Sequence, residues 1–179
     1  RIGRTLVANG DITVTLPDRS QKTFPSQTSI KEVADAIGPG LSCAALAGKV
    51  EGMPVDLSVS LESDALVEIL TFAAPEGKEV YWHSTAHILA QAVQDLFPDV
   101  KVTIGPPIEN GFYYDFDREQ PFIPDELEKI EDRMHEIISE DQRFERQEVS
   151  REEALKIFED LGEAYKLEIL AKIEPDQTI

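Results

Sequence analysis

Hydrophobic and polar residues alternate with a period of two over Ile12-Thr13-Val14-Thr15-Leu16, which predicts a half-buried strand. Pro17-Asp18-Arg19-Ser20 supplies a turn and Lys22-Thr23-Phe24 a returning strand, so residues 11–24 read as a hairpin. The period then becomes helical. Ser29 and Glu32 have capping-box spacing, Ile30, Val33, Ala34 and Ile37 fall on one face, and Gly38-Pro39-Gly40 stops the helix. Ala44–Val50 is strand-like, Glu51-Gly52 is a turn, and Val55-Asp56-Leu57 and the apolar Leu66–Phe72 complete a set of short strands. Two strands, a helix and further strands within about 70 residues predict a mixed sheet crossed by one helix, the β-grasp, ubiquitin-like plan. Ala73-Ala74-Pro75-Glu76-Gly77-Lys78 reads as a linker, which divides the chain into domains 1–73 and 74–179.

In the second domain, Trp82–Val93 has the pattern of an amphipathic helix that ends near Phe97-Pro98. Trp82, Ala86, Leu89, Val93 and Leu96 share one arc, Ile88 and Ala92 widen it, and His83 and His87 fall just past its edge beside Ala90 and Gln94. Val100–Ile104 reads as a strand, broken by Gly105-Pro106-Pro107. Asn110-Gly111 then gives a turn and Phe112–Phe116 an aromatic strand. Pro124–Gln142 is helical, with Leu127, Ile130, Met134, Ile137 and Ile138 as its inner stripe and His135 among solvated charges. A second capping box, Ser150 with Glu153, opens a helix that runs through Leu161 and ends at Gly162. Tyr165–Leu170 alternates as a strand, and Glu174–Ile179 reads as a linker or the start of another. The fold class is α+β: a β-grasp domain, then helices packed on an antiparallel sheet.

Composition narrows the functional classes. The 179 residues are 41% hydrophobic and 29% charged, ordinary for a soluble protein. No apolar run approaches the ~20 residues of a membrane span, and no signal-peptide core stands at the start. One cysteine, Cys43, rules out an internal disulfide framework; its apolar neighbours Ala44, Ala45 and Leu46 predict a buried structural thiol. The net charge is −18, of which residues 73–179 carry −15. A nucleic-acid interface ordinarily needs a basic excess, so any RNA contact has to be local or supplied by other parts of a larger protein.

The chemistry centres on His83 and His87. A helical His-x-x-x-His pair is the two-ligand core of many zinc sites, but the metalloprotease form has Glu after the first histidine, and Ser84 stands there. A third ligand would have to be a carboxylate. Two other readings stay open on spacing alone: imidazoles packed at the edge of the core, or imidazoles that act directly on a water and a substrate. Lys166 could lend positive charge to a developing oxyanion or a phosphate. Neither a glycine-rich phosphate loop nor a Ser-His-Asp arrangement is legible.

Together these segments resemble the N-terminal region of threonyl-tRNA synthetase over essentially the whole chain. The first part resembles the TGS domain in Ile12–Asp18, Val33–Leu41 and Ala47-Gly48-Lys49-Val50. The second resembles that family's editing domain in His83-Ser84-Thr85-Ala86-His87, in Ile104–Asp115 and in Ala164-Tyr165-Lys166. The resemblance implies a parent class II threonine–tRNA ligase that uses ATP, Mg2+ and zinc in a catalytic domain absent here. It also implies a cytoplasmic homodimer formed through that core, with tRNA(Thr) as partner and no membrane association. This region would hydrolyse mischarged seryl-tRNA(Thr). Size-based rejection of an amino acid one methyl smaller is worth only ~1–3 kcal/mol, which calls for a second, hydrolytic site. By position His83 and His87 match the family's histidine pair and Lys166 its lysine, with Tyr114 and Gly105 as pocket residues. The family's Asp-x-Cys and Cys-x-x-x-His segments have no counterpart before Ile179, so an incomplete site, inactive alone, is expected. Arg19 stands where the family more often has Gly, a change that a type I turn tolerates. The alternatives are a non-catalytic RNA- or protein-binding TGS module and a standalone metal hydrolase.

Overall fold

A computed structural model describes residues 10–142 and 147–173. The expected tail at 174–179 lies outside the described residues. The chain forms two compact units, one up to Tyr81 and the other from Trp82.

The first unit begins with the hairpin β1 (Asp11–Thr15) and β2 (Gln21–Pro25), paired antiparallel with Ile12 opposite Phe24. β3 (Thr28–Ser29) leads into α1 (Ile30–Ile37), whose capping box forms as the spacing predicts: Ser29 Oγ accepts from Glu32 N–H and the Glu32 carboxylate accepts from Ser29 N–H. Gly38 ends α1, but Pro39 at the next position starts a further short helix, α2 (Pro39–Ala44). Proline at a helix's first position lacks only an N–H that would have had no partner. The Gly-Pro-Gly stop is therefore also a start, and Cys43, expected to be buried in a strand-like run, is exposed on α2.

β4 (Ala45–Val50), β5 (Met53–Val55), β6 (Ser60–Leu61) and β7 (Ala65–Thr71) complete the unit. The main sheet has the order β2-β1-β7-β4-β5, with β1 and β7 parallel and its other pairs antiparallel, and β3 pairs with β6 apart from it. The mixed sheet crossed by α1 is the expected β-grasp. Its core joins Ile12 and Val14 of β1, and Leu16 just after it, to Ile30 and Val33 of α1 and to Leu61 and Val67. Complete burial of an aliphatic side chain contributes roughly 1.5–3 kcal/mol, so this cluster fixes the register of the hairpin against α1. Gly48 lets α1 approach: a Cβ there would stand 2.6 Å from Ile30 Cγ2.

The long helix α3 (Pro75–Leu96) follows directly. Its first turn takes in Pro75–Lys78, so most of the expected linker is helical; Pro75 occupies the one helical position proline suits. β8 (Lys101–Val102) pairs with β11 (Phe116–Asp117), and between them β9 (Pro107–Ile108) and β10 (Gly111–Phe112) close a hairpin over Glu109-Asn110. The aromatic strand expected over Phe112–Phe116 is thus two short strands joined by an irregular stretch. α4 (Pro124–Ser139) buries Ile130 and Ile137 against Ala92, Val93 and Val100, with Met134, Phe97, Phe116 and Phe122 around them. Leu127 and Ile138, expected in the inner stripe, are more than half exposed, because the α3 contact covers only the arc of Ile130, Met134 and Ile137. His135 faces solvent, as its charged neighbours predict.

α5 (Arg151–Asp160) carries the second capping box, and Gly162 at φ +70° turns the chain into α6 (Ala164–Lys172). This last helix overturns the expected strand at Tyr165–Leu170. Six residues that alternate at period two also satisfy a helical face. Glu163 and Leu170, seven residues and two helical turns apart, are the buried positions, whereas a period-two strand would turn them to opposite faces, and Ala, Leu, Lys and Glu are strong helix formers.

Two stability predictions follow from these elements. Arg19 N–H donates to the Leu16 carbonyl at 2.8 Å to close the first turn, and Arg19 itself sits at φ +68°. The tolerance expected of this position therefore gives way to a left-handed conformation that disfavours any side chain. Arg19→Gly should stabilise the first unit by about 1 kcal/mol, read as a higher urea midpoint at unchanged slope. In the second unit, Glu126 accepts two hydrogen bonds from Arg118, at 2.7 and 2.9 Å, and one from Ile123 N–H at 3.1 Å. The Arg118 bonds first, then the Ile123 bond, hold its carboxyl down at about 2, against an ordinary 4.5. A depressed folded-state value contributes stability that is complete above 4.5 and drains away as pH falls toward 2. Glu126→Gln should flatten the acid-denaturation slope of the second unit in that window and leave it unchanged above pH 5.

Candidate functional site

The face that α3 buries decides where its imidazoles go. Ala86, Ala90, Ala92 and Val93 are buried, while Trp82, Ile88 and Leu89 are partly covered. His83 and His87, one turn apart at the edge of this face, are exposed residues whose rings lie 4.8 Å centre to centre at 39°. Trp82 sits against the Phe112 ring at 6.2 Å.

Lys166 comes to this neighbourhood on α6. Had residues 165–170 formed a strand, Glu163 and Lys166 would point to different faces; on a helical turn they are neighbours, with Lys166 Nζ 3.5 Å from Glu163 Oε1. Lys166 also stands 5.6 Å from the centre of the Phe158 ring of α5. Beside it, Tyr165 Oη donates to Asp117 Oδ2 at 2.9 Å, which ties α6 to β11. The Glu163 side chain accepts from Gln94 Nε2 of α3 at 2.9 Å.

The titration of the group reflects this packing. Partial covering of its ring by protein pushes His87 below the ordinary 6.5, and the charges of His83 and Lys166 push it further in the same direction. His87 is therefore a neutral imidazole near pH 7, able to accept a proton. The Tyr114 hydroxyl is pushed up, first by burial and then by the Glu163 carboxylate, which keeps it a neutral phenol and a donor.

Gly105 and Tyr114 form the remaining part. The Tyr114 ring stacks on Phe116 at 5.0 Å and 23°. A Cβ on Gly105 would fall within the Tyr114 ring, against Cγ, Cδ2 and Cε2. The ring thus occupies the space that a side chain at 105 would need, and Thr103, two residues earlier, bonds through its N–H and Oγ1 to the Asp115 carbonyl. The structure therefore places Tyr114 directly against Gly105. The His83 and His87 rings lie against one another, and the charge of Lys166 on α6 is felt at His87. Among the described residues, no group of three or more His, Cys, Asp or Glu is arranged to hold a metal ion.

Sequence reasoning missed two members, Glu163 and Gln94. Gln94 lies seven residues, two turns, beyond His87 and was visible as a neighbour of the pair. Glu163 became legible only once residues 164–172 were helical, because its i,i+3 relation to Lys166 has no meaning in a strand.

Residues 12–71 match the TGS domain family, so the first unit is a TGS domain on its β-grasp sheet. The second unit and the first together align with longer proteins. The chain is 53% identical over 168 residues to the threonine–tRNA ligase of Desulforamulus reducens, covering 94% of this chain and 26% of that protein. It is 52% identical over 164 residues to that of Thiobacillus denitrificans (92% and 26%) and 52% identical over 166 residues to that of Methylococcus capsulatus (93% and 26%). The chain is thus related to threonine–tRNA ligases along nearly all of its length, as an N-terminal region, and spans about a quarter of theirs. Among the described residues no helix is long and apolar enough to cross a membrane.

Gly105→Ala tests the close approach. The added methyl should drive the Tyr114 ring off its stack with Phe116 and cost about 1–3 kcal/mol, seen as a lower Tm and an altered tyrosine near-ultraviolet signal. An unchanged signal would show that the ring does not need that space.

Proposed function

We propose that the second unit serves proofreading in a threonine–tRNA ligase, by hydrolysing the ester of seryl-tRNA(Thr). The observation that supports this reading is a neutral imidazole, His87, packed one turn from His83 on α3 and close enough to the Lys166 ammonium of α6 to feel its charge. Ester hydrolysis needs a base to take a proton from the attacking water and a positive group for the oxyanion that forms on the carbonyl. His87 fits the first role and Lys166 the second. His83 fits contact with the terminal adenosine, and Tyr114, packed against Gly105, a wall that fits serine. Water adds to the ester carbonyl, the bond to the ribose oxygen breaks, and the proton held by His87 passes to that oxygen. Serine and free tRNA leave.

On this reading attachment of threonine with ATP, and the Mg2+ and zinc chemistry it calls for, belong to the three-quarters of the relatives that this chain does not span. The same applies to most of the tRNA affinity, since a chain of net charge −18 has little phosphate-binding capacity of its own.

The test is hydrolysis of Ser-tRNA(Thr) by a full-length ligase that carries this region and by the isolated chain. The isolated chain should be slow or inactive. In the full-length enzyme His87→Ala and Lys166→Ala should each lower the rate at least about 100-fold. The acid limb of the pH profile should have its midpoint below 6.5, because the pushed-down imidazole stays neutral to lower pH. A full rate that survives His83→Ala with His87→Ala would sink the proposal and favour a non-catalytic binding role for this region.

A further inference from the structure

Glu163 is the charged group whose placement the proposed chemistry leaves unexplained. It is 9% exposed and occupies the N-cap position of α6. An acid there ordinarily serves its own helix, by accepting from a first-turn N–H or by facing the positive end of the helix dipole. The Glu163 side chain makes no such capping bond. Its Oε1 accepts from Gln94 Nε2 at 2.9 Å and stands 3.5 Å from Lys166 Nζ. Gln94, two turns beyond His87 on α3, is on the same face as that imidazole. The carboxylate therefore bridges the helix that carries the histidines and the helix that carries the ammonium.

Burial of a carboxylate is tolerated when it is hydrogen-bonded and paired, and Glu163 has one partner of each kind. Lysine, by contrast, is a point charge on a flexible four-carbon stem and holds no fixed position unaided. The Lys166 side chain is 38% exposed, with its ammonium 5.6 Å from the centre of the Phe158 ring and 3.5 Å from the Glu163 carboxylate, which is the charged group that can direct it. We propose, on the deacylation reading above, that Glu163 is a positioning residue: anchored by Gln94, its carboxylate holds the Lys166 ammonium beside His87.

The experiment is a double-mutant cycle on this chain, with His87 titrated by NMR in the wild type, Lys166→Met, Glu163→Gln and the double variant. Glutamine keeps an oxygen that can accept from Gln94 and loses only the charge. Lys166→Met should raise the His87 midpoint in the wild-type background, because a nearby cation is removed, and leave it unmoved in the Glu163→Gln background, where the ammonium is already released. An equal rise in both backgrounds overturns the proposal, and so does the absence of a rise in the wild type. Should Glu163→Gln fail to fold, Gln94→Met removes the anchoring bond alone; a diminished coupling supports the proposal and an undiminished one overturns it. A separate arm measures deacylation in the full-length ligase, where Glu163→Gln should lower kcat at constant KM and Glu163→Asp should recover part of the loss. Coupling without a deacylation defect supports the positioning role and tells against the hydrolytic reading. A defect without coupling overturns the positioning role.

Discussion

Burial of the small-residue arc of α3 is the constraint on which the second unit depends. Ala86, Ala90, Ala92 and Val93 carry little side chain, so neighbouring segments can come close to the helix backbone along that arc. Once the arc is buried, the helical period leaves no choice for the rest. His83, His87 and Gln94 must lie along its rim, with one side toward protein and one toward solvent. A bulkier residue at position 90 would push that rim outward and turn the two imidazoles into ordinary surface groups. The partial dehydration of His87 is thus a consequence of packing several residues away from any reacting group.

Polar contacts then join what the apolar contacts bring near. Gln94–Glu163 and Tyr165–Asp117 are single hydrogen bonds between elements that share few buried apolar residues, and a bond to an ionised acceptor contributes about 1.5–3 kcal/mol. They do more for direction than for stability. The Arg133 guanidinium plays the comparable part farther along α3, where it bonds Asp95 at 2.8 Å while it also meets Glu136 and Glu140 of its own helix. Apolar burial sets which faces meet, and a few oriented polar pairs set the rotation and register at which they meet.

The β-grasp unit was legible in detail because each of its signals is local. A period-two run, a capping box and a Glu-Gly turn each determine a conformation within a few residues. Where the reading failed, two periods or two roles competed within a short window. Gly38-Pro39-Gly40 contains both a helix stop and a helix start, so α2 was hidden and Cys43 was placed inside when it is outside. Tyr165–Leu170 fits period two and period 3.6 over six residues, and only the buried positions Glu163 and Leu170, two helical turns apart, separate them. Leu127 and Ile138 fit the stripe of α4 but lie beyond the width of its partner helix, a tertiary fact with no local signature. Within the candidate site, His83 and His87 were visible as a spaced pair. The Tyr114–Gly105 contact was not, because the short β9–β10 hairpin and its flanking residues separate them and nothing in their identities announces it.

The acidic balance of the second unit bears on what such a site can do. A deacylase that proofreads has to release tRNA after each hydrolysis as well as bind it, and phosphate neutralisation by many cations would slow that release. A surface of strong negative charge with one directed ammonium reverses the usual arrangement. On the proposed deacylation reading, attraction would be concentrated at the reacting ester, where Lys166 can act on a developing charge, and withheld from the rest of the polyanion. An interaction that strengthens only as the oxyanion forms raises the rate without deepening the ground state. On the same reading, the buried position of Glu163 would suit that division, because its carboxylate pairs with Lys166 in the resting site and would keep the site's net attraction for phosphate low. Replacing Glu163 by a neutral residue alters both halves at once, through a freer cation that binds phosphate more readily and serves the ester less.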